Sequence, residues 1–326
     1  MRAVIVRTPG GPERLEVVEM PAPLPGPGEV LIDVAFCGLN WADTMIRVGT
    51  YPHPFAYPVI PGLEVSGTVV AVGAGVTRAA PGDRVVGFNE KGGGYAERFV
   101  CAQEVVIPLP DAMSLRMAAA FPVQALTAWH MLHTIGRIEA GQWVLVHAIG
   151  GGVGLWCTQL AVRAGARVIG TVGTPGKQRR ALELGATRVV QSGSEDFESV
   201  ARDLTGGAGV DLLIDSLGAR TLDRSFDIVR KLGHVISIGE AEGLPYPNIR
   251  ERLLPRSLTF TRFHLGHVDP ASRAWADGLA QVVGGILDGS LDVSIEHVFP
   301  LEQAREMHAR IESRQVSGKL LLAVGG

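Results

Sequence analysis

The sequence predicts an α/β protein that combines a doubly wound parallel sheet with a second, β-rich domain. Two observations carry this prediction. Residues 1 to about 120 contain short apolar alternations separated by turn signals such as PGPG, PGD and KGGG, a pattern typical of closely spaced strands. From residue 144 onward, apolar strands alternate with helical patterns, which indicates a parallel sheet covered on both faces.

In the first part, strands are predicted in EVLIDVAF, SGTVVAVG, DRVVGF and AERFVCAQEVVIPLP. The frequent turns between them suggest a compact, barrel-like domain. The stretch NWADTMIRVGTYPHPFAYPVIPG is interpreted as a long loop-like segment, and such segments often carry function. SLRMAAAFPVQALTAWHMLH follows with helical spacing.

In the second part, the alternation begins with strand WVLVHA and helix GLWCTQLAVRAG and continues through strands RVIGTV, RVVQS, VDLLIDSLG and HVISIG. Helices are predicted between them in KQRRALELG, DFESVARDLTGG and TLDRSFDIVRKLG, and SLTFTRFHL is a further candidate strand. The last part is predicted to be helical in ADGLAQVVGGILDG and VFPLEQAREMHARIES and to end in the strand GKLLLAVGG.

Composition indicates a folded soluble protein and excludes several function classes. The chain has 326 residues, of which 46% are hydrophobic and 19% charged, and its net charge of −3 gives no field that attracts nucleic acid or an anionic membrane. Cys37, Cys101 and Cys157 are odd in number and far apart, so a disulfide framework is not expected. The N-terminus does not resemble a signal peptide, and we expect a cytoplasmic protein.

The glycine cluster in VLVHAIGGGVGLWCTQ is the first candidate binding site. Gly151 and Gly154 fit the second and third glycines of a dinucleotide fingerprint, and Ile149 stands where the first would be. Such a turn needs a tight bend, close backbone approach to a pyrophosphate and intimate packing of helix on strand. Glycines also fill ordinary strand-to-helix turns, but the position after the first strand of a strand–helix series favours a nucleotide.

The end of the second strand indicates which coenzyme is used. A ribose with free hydroxyls is usually held by an acid about 20 residues past the glycines. Here Gly173 and Thr174 follow the strand without an acid, and Lys177, Arg179 and Arg180 come next. This pattern favours a 2′-phosphate and therefore NADPH over NADH. The alternative is that the three cations are solvent-exposed charges on the first turns of a helix.

Taken together, these stretches resemble a known family. CGLNWADTMIRVGTYP, IPGLEVSGTVVAVGAGV, AAAFPVQALTAW, HAIGGGVG, GTVGTPGKQ and SGKLLL are similar to the zinc-free quinone oxidoreductases, the ζ-crystallin-like branch of the medium-chain dehydrogenase/reductase superfamily. The resemblance covers essentially the whole chain. It implies a Rossmann NADPH-binding domain at residues 123–265 and a GroES-like catalytic domain at 1–122 and 266–326. It also implies a homodimer formed through the sixth strand of the Rossmann sheet.

Two substitutions bear on zinc. Alcohol dehydrogenases of the superfamily carry a cysteine where Asn40 stands and a histidine where Leu63 stands, and neither replacement supplies a thiolate or an imidazole to zinc. His130 and His133 lie on an apolar helical stretch and are expected to be structural, so we expect no metal. Without that Lewis acid, reduction favours substrates that are already electrophilic, such as quinones or alkenes conjugated to carbonyls.

The resemblance assigns substrate-site residues, each with a structural alternative. Asn40 is expected to bond a substrate oxygen or the nicotinamide ribose, or else to fix a turn. Asp43 is expected to orient its neighbours, or to cap a helix near TMIRVG. Tyr51 is expected to donate a hydrogen bond to a quinone oxygen, or to pack in a proline-rich loop.

The coenzyme contacts implied by the glycine turn and the resemblance lie mainly along the carboxyl edge of the sheet. They are Thr127 near the nicotinamide, then Gly151, Gly152, Val153, Gly154, Gly173, Thr174, Lys177, Ser192, Ser216, Ile238, Gly239, Arg262, Phe263, His264 and Lys319. Ser192 stands where many NADPH-using relatives have a tyrosine. For Lys319, an ordinary surface lysine is an equal alternative.

Three functions remain open from the sequence. The first is reduction of quinones or enones with NADPH. The second is reduction of enoyl thioesters, and turnover of crotonyl thioester against 1,4-naphthoquinone separates these two. The third is a non-catalytic NADPH-binding sensor, structural protein or RNA binder, although no basic and aromatic stripe for nucleic acid is present.

Overall fold

A computed structural model describes residues 1–53, 55–243 and 246–325. They form two compact units. Unit 1 contains Met1–Val123, Asp269–Ser272 and the chain from Val283 onward, and unit 2 contains Gln124–Val268 and Arg273–Val282. The short segment 273–282 packs within unit 2, where the Trp275 ring stacks on His130 with a centroid distance of 6.0 Å.

The strands and helices follow in chain order. The strands are β1 (Arg2–Val6), β2 (Leu15–Glu19), β3 (Glu29–Gly38), β4 (Glu64–Val72), β5 (Arg84–Phe88), β6 (Arg98–Ala102), β7 (Ile107–Pro108), β8 (Trp143–Val146), β9 (Arg167–Val172), β10 (Arg188–Gln191), β11 (Val210–Asp215), β12 (Val229–Ser237), β13 (Thr259–Arg262), β14 (Ile295–Pro300) and β15 (Lys319–Ala323). The helices are α1 (Trp41–Val48), α2 (Leu115–Ala118), α3 (Pro122–Trp129), α4 (Gly152–Arg163), α5 (Gln178–Glu183), α6 (Phe197–Leu204), α7 (Ala219–Ser225), α8 (Ile249–Leu253), α9 (Arg273–Leu287) and α10 (Ala304–Glu312). A π-helical turn, His130–Ile135, extends α3.

Unit 1 is built on a sheet with the order β14-β15-β3-β4-β5-β7, in which β6 also pairs with β3. β14 and β15 are parallel and the other neighbours are antiparallel. β1 and β2 form a separate antiparallel pair. The predicted β-rich domain is confirmed. Among the described residues the strand path has two ends, β14 and β7, and does not close into a barrel.

Unit 2 is a six-stranded sheet with the order β10-β9-β8-β11-β12-β13, and every pair is parallel. β8 is buried along its whole length, as expected of a central strand covered on both faces. The predicted doubly wound sheet is confirmed. The order reverses between β8 and β11, and ligands of such sheets bind outside the carboxyl ends of the strands at that point.

Four predicted elements are wrong in extent. The segment predicted as a loop from residue 40 begins with α1, which ends where Gly49 adopts a left-handed φ of 86°. The helical stretch from Ser114 divides into α2 and α3, because Pro122 lacks an N–H and starts a new helix. VFP, predicted to be helical, belongs to β14.

The fourth difference lies in TLDRSFDIVRKLG. The predicted helix ends at Ser225, and β12 already begins at Val229. Val229 pairs with Val210 of β11, so sheet pairing by a β-branched residue overrides the helical spacing.

Two further findings concern the membrane and the cysteines. α9, with 15 residues, is the longest of the described helices, and none of them has the length and hydrophobicity needed to span a bilayer. Cys37, Cys101 and Cys157 are buried and unpaired.

Candidate functional site

The glycine turn joins β8 to α4 with very little space between helix and strand. A Cβ on Gly154 would lie 2.6 Å from both Cα and the carbonyl oxygen of Ile149, and 2.7 Å from the carbonyl oxygen of Ala148. All three atoms belong to the backbone and cannot rotate away. The first turn of α4 therefore packs directly on the end of the strand, as a dinucleotide-binding turn requires.

The isoleucine at the first fingerprint position is accommodated by a glycine elsewhere. Ile149 is fully buried, and its N–H donates to the carbonyl oxygen of Thr171 at 3.0 Å. A Cβ on Gly170 of β9 would lie 2.3 Å from Cδ1 of Ile149. Because Gly170 has no side chain, it leaves the space that the Ile149 side chain needs at this fingerprint position.

The start of α4 presents unpaired backbone donors. The first intrahelical bond runs from the Leu155 N–H to the Gly151 carbonyl oxygen, at 2.9 Å. Within the described part of the chain, the N–H groups of Gly152, Val153 and Gly154 have no hydrogen-bond acceptor. These donors lie at the positive end of the dipole of a 12-residue helix. Such a terminus suits an anion, and a pyrophosphate in particular.

Of the three basic residues that follow β9, Lys177 lies beside the glycine turn. A Cβ on Gly150 would lie 2.8 Å from the Lys177 carbonyl oxygen and 2.9 Å from its Cβ. Arg179 and Arg180 instead form ion pairs with Glu183 of the same helix, at 2.8 and 3.1 Å. Their contacts match the alternative of exposed helix charges.

The residues that follow β9 and β10 lie at the same edge. The Ser192 N–H donates to the carbonyl oxygen of Val172 at 2.9 Å, so the end of β10 lies next to Gly173 and Thr174. Ser192 and Gly173 are both exposed. A Cβ on Gly173 would meet no atom within 4 Å, so there is open space at this position.

A buried carboxylate organises the ends of β11 and β12. Asp215 accepts two backbone N–H bonds of the following turn at 3.0 Å, and the Ser237 hydroxyl donates to it at 2.9 Å. Burial raises the pKa of Asp215 above its ordinary value. The Ser237 hydroxyl also lies 2.7 Å from the Tyr246 hydroxyl, and a Cβ on Gly239 would lie 2.7 Å from the carbonyl oxygen of Ser216. Asp215 and Tyr246 shape this part of the edge and were missed by the sequence analysis.

The remaining predicted contacts of this edge follow β12 and β13. The Ile238 N–H donates to the Asp215 carbonyl oxygen at 2.8 Å, and the Phe263 N–H donates to the Ser237 carbonyl oxygen at 2.9 Å. Arg262 forms an ion pair with Glu240 at 3.4 Å. His264 is half-buried.

α3 contributes one predicted residue and one missed residue. Thr127 is 9% exposed and lies one turn beyond Gln124. The amide of Gln124 lies against the glycine turn: a Cβ on Gly152 would lie 2.1 Å from Oε1 of Gln124. A glutamine within the apolar stretch AAAFPVQALTAW is the signal that could have identified it.

The two helical histidines contact neighbouring side chains of the same turn. Burial lowers the pKa of His130 to about 4, and its Nδ1 lies 2.8 Å from the Thr134 hydroxyl. The His133 ring packs on Trp129 with a centroid distance of 4.0 Å.

In unit 1, Asp43 holds the entry into α1. Its carboxylate accepts the Asn40 N–H at 2.8 Å and the Gly62 N–H at 3.0 Å. Burial raises the pKa of Asp43 to about 7, while the two N–H bonds oppose the shift. Asp43 therefore orients its neighbour Asn40, and as residue N3 of the capping box of α1 it also has the alternative role at the start of that helix.

The Asn40 side chain lies in a buried network with Glu64 and Lys319. Asn40 Nδ2 donates to Glu64 Oε1 at 2.8 Å. Lys319 Nζ donates to Asn40 Oδ1 at 2.8 Å and to Glu64 Oε1 at 2.5 Å. The second oxygen of Glu64 accepts the Val123 N–H at 2.8 Å. Both charged partners are thus bonded, as buried charges must be.

Burial excludes the alternative that Lys319 is an ordinary surface lysine. The side chain is 1% exposed, so it is not a surface lysine. Glu64, its fully buried partner, was not assigned a role from the sequence. The signal for it was a single charge at the start of the otherwise uncharged strand EVSGTVVAV.

Tyr51 is half-buried among aromatic side chains. Its ring centroid lies 5.7 Å from that of His53 and 5.9 Å from that of Phe55, and the ring packs against the core of unit 1. These contacts match the packing alternative and leave the predicted hydrogen bond to a substrate as a prediction.

Comparisons with known proteins agree with this architecture. The alcohol dehydrogenase GroES-like domain family matches residues 26–111, and the zinc-binding dehydrogenase family matches residues 152–283. A probable quinone oxidoreductase from Schizosaccharomyces pombe is 37% identical over 317 residues, covering 94% of this chain and 92% of the relative. A 2-haloacrylate reductase from a Burkholderia species is 33% identical over 327 residues, covering 98% of each chain.

Among solved structures, Escherichia coli quinone oxidoreductase complexed with NADPH matches with a TM-score of 0.93 and 33% sequence identity. The match covers 99% of this chain and 100% of the other. Sequence, sheet order and glycine turn lead to one assignment: the chain belongs to the ζ-crystallin-like quinone oxidoreductase branch of the medium-chain dehydrogenase/reductase superfamily.

Proposed function

We propose that the protein reduces quinones or α,β-unsaturated carbonyl compounds with NADPH by direct hydride transfer and without zinc. The observation that carries the proposal is the chemistry around Asn40. An amide, an ammonium and a carboxylate are bonded to one another where the alcohol dehydrogenases of the superfamily hold zinc.

The residues at the carboxyl edge of unit 2 fit the coenzyme. The unpaired N–H groups of Gly152, Val153 and Gly154 suit the pyrophosphate, and the bare backbone of the turn permits its close approach. Lys177, beside that turn, is proposed to bind the 2′-phosphate, with Ser192 close to the end of the neighbouring strand. When bound, NADPH supplies the hydride. The E. coli relative complexed with NADPH supports this assignment.

The donor set around Asn40 argues against a divalent metal. Leu63 has no ligand atom, and Lys319 already occupies Asn40 Oδ1 and Glu64 Oε1. An ammonium between these oxygens repels a second cation and offers it no lone pair. Without a Lewis acid, the substrate itself must delocalise the charge that hydride addition creates, which favours conjugated acceptors.

The test is a substrate panel of 1,4-naphthoquinone, a conjugated enal and crotonyl thioester, each with NADPH and with NADH. We expect steady NADPH oxidation with the quinone or the enal that persists after dialysis against a chelator. The 2-haloacrylate reductase relative supports the activated-alkene arm of the panel. Turnover with crotonyl thioester alone would favour the enoyl-thioester alternative, and tight NADPH binding without turnover would favour a sensor.

We also propose that the protein forms a homodimer through β13. β13 pairs only with β12 among the described strands, so its outer edge is available for pairing. A monomeric mass in light scattering at micromolar concentration would contradict this proposal.

A further inference from the structure

Lys319 reaches its partners through a space that only a glycine leaves. A Cβ on Gly38 of β3 would lie 2.8 Å from Lys319 Cε, 2.9 Å from Glu64 Oε1 and 2.4 Å from the Ala119 carbonyl oxygen. The stem of the lysine is therefore confined, and its ammonium is held in one place against Asn40 and Glu64.

This confinement decides which way the Asn40 amide faces. An ammonium only donates hydrogen bonds, so the Asn40 atom 2.8 Å from Lys319 Nζ must be the oxygen. An ionised carboxylate only accepts, so the atom 2.8 Å from Glu64 Oε1 must be the nitrogen. A flip of the amide would place donor against donor and acceptor against acceptor.

One N–H of Asn40 is then left over. Nδ2 carries two hydrogens, and in the described part of the chain only one of them has an acceptor. Asn40 is 5% exposed, whereas Glu64 and Lys319 are almost completely enclosed. The amide therefore still has one N–H to offer to a ligand.

We propose that Lys319 is a positioning residue that orients the Asn40 amide so that its second N–H donates to the carbonyl oxygen of the substrate. This inference rests on the proposed function. Hydride addition to a quinone or enone moves an electron pair onto that oxygen, which a proton from water then neutralises. A preorganised donor stabilises the developing charge. A substrate bound in this way presents a hydrogen-bond acceptor to the Asn40 N–H.

The first readout is independent of catalysis. The chain contains three asparagines, Asn40, Asn89 and Asn248, so asparagine-selective ¹⁵N labelling gives three side-chain amide pairs. Substitution of Asn40 by aspartate assigns its pair. We expect the Asn40 pair to shift in Lys319→Met and in the milder Lys319→Gln, whose amide can present either atom to Asn40. It should be unchanged in the matched control Lys91→Met, because Lys91 is exposed.

The second readout separates orientation of the substrate from coenzyme binding. In Lys319→Gln we expect kcat/KM for 1,4-naphthoquinone to fall about tenfold, the effect of one hydrogen bond. The dissociation constant for NADPH, measured by fluorescence titration, should stay unchanged. If NADPH binding weakens instead and kcat is retained, Lys319 is a coenzyme ligand and the inference is wrong.

Two further outcomes are decisive. An Asn40 pair that is identical in wild type and both Lys319 variants shows that Lys319 does not orient the amide. If the pair shifts as expected but wild type reduces no member of the substrate panel, the orientation by Lys319 stands and the proposed function falls. Lys319→Gln keeps the test valid if Lys319→Met does not fold.

Discussion

The glycine turn makes one substitution, Gly154→Ala, especially informative. Alanine favours helix over glycine by about 1 kcal/mol, so the change should stabilise α4 if nothing else mattered. The new Cβ, however, lies 2.6 Å from two backbone atoms, and an ordinary contact begins at 3.4 Å. The start of the helix must therefore move by about 0.8 Å, the difference between those two distances. Overpacking of this kind costs about 1–3 kcal/mol.

The same displacement moves the N–H groups that are proposed to bind the pyrophosphate of the coenzyme. Because N–H groups bind phosphate over a narrow range of distances, we expect the dissociation constant for NADPH to rise about tenfold or more. The matched control is Gly284→Ala, an exposed glycine of α9 whose Cβ would meet nothing within 4 Å. That variant should gain about 0.5–1 kcal/mol.

Urea unfolding and fluorescence titration with NADPH measure both effects. The expected result is opposite signs for the two glycine-to-alanine changes in stability, with weaker NADPH binding only in Gly154→Ala. If Gly154→Ala unfolds at the same urea concentration as Gly284→Ala and binds NADPH as wild type does, the close approach of helix and strand determines neither stability nor coenzyme binding.

Three other predictions concern charge. Lys177→Ala should raise KM for NADPH about tenfold and leave KM for NADH nearly unchanged, and equal effects on both coenzymes would show that Lys177 does not contact the 2′-phosphate. Burial lowers the pKa of His147 to about 3, with a smaller contribution from a nearby arginine. Because the unfolded state binds this proton at a higher pH than the folded state, the free energy of unfolding is fully retained above pH 6.5 and decreases as the pH falls from there to about 3. At pH 5 this linkage lowers the free energy of unfolding by about 2 kcal/mol. Urea unfolding of His147→Gln should therefore show a smaller decrease in unfolding free energy between pH 7.5 and 5 than wild type shows. The same decrease in both proteins would contradict the prediction. Glu64→Gln should lose about 3–5 kcal/mol in urea unfolding because it leaves the Lys319 ammonium buried without its anion, and the double variant Glu64→Gln/Lys319→Met should recover part of that loss.

Features governed by local rules could be predicted from the sequence. The strand–helix alternation, the glycines at 151 and 154 and the lack of an acid after β9 each depend on a few neighbouring residues. Periodicity, allowed backbone angles and turn chemistry act over that range. Local rules also failed where a distant partner decided, as at Val229, which pairs with Val210 rather than continuing a helix.

The environment of the candidate site was decided by the tertiary structure alone. Lys319 and Asn40 are 279 residues apart in sequence, yet their bond determines the orientation of the Asn40 amide. The room for Ile149 likewise depends on Gly170, on the neighbouring strand. No sequence pattern encodes such pairs, because a buried charge or a bulky side chain is stabilised by whichever residue the fold brings against it.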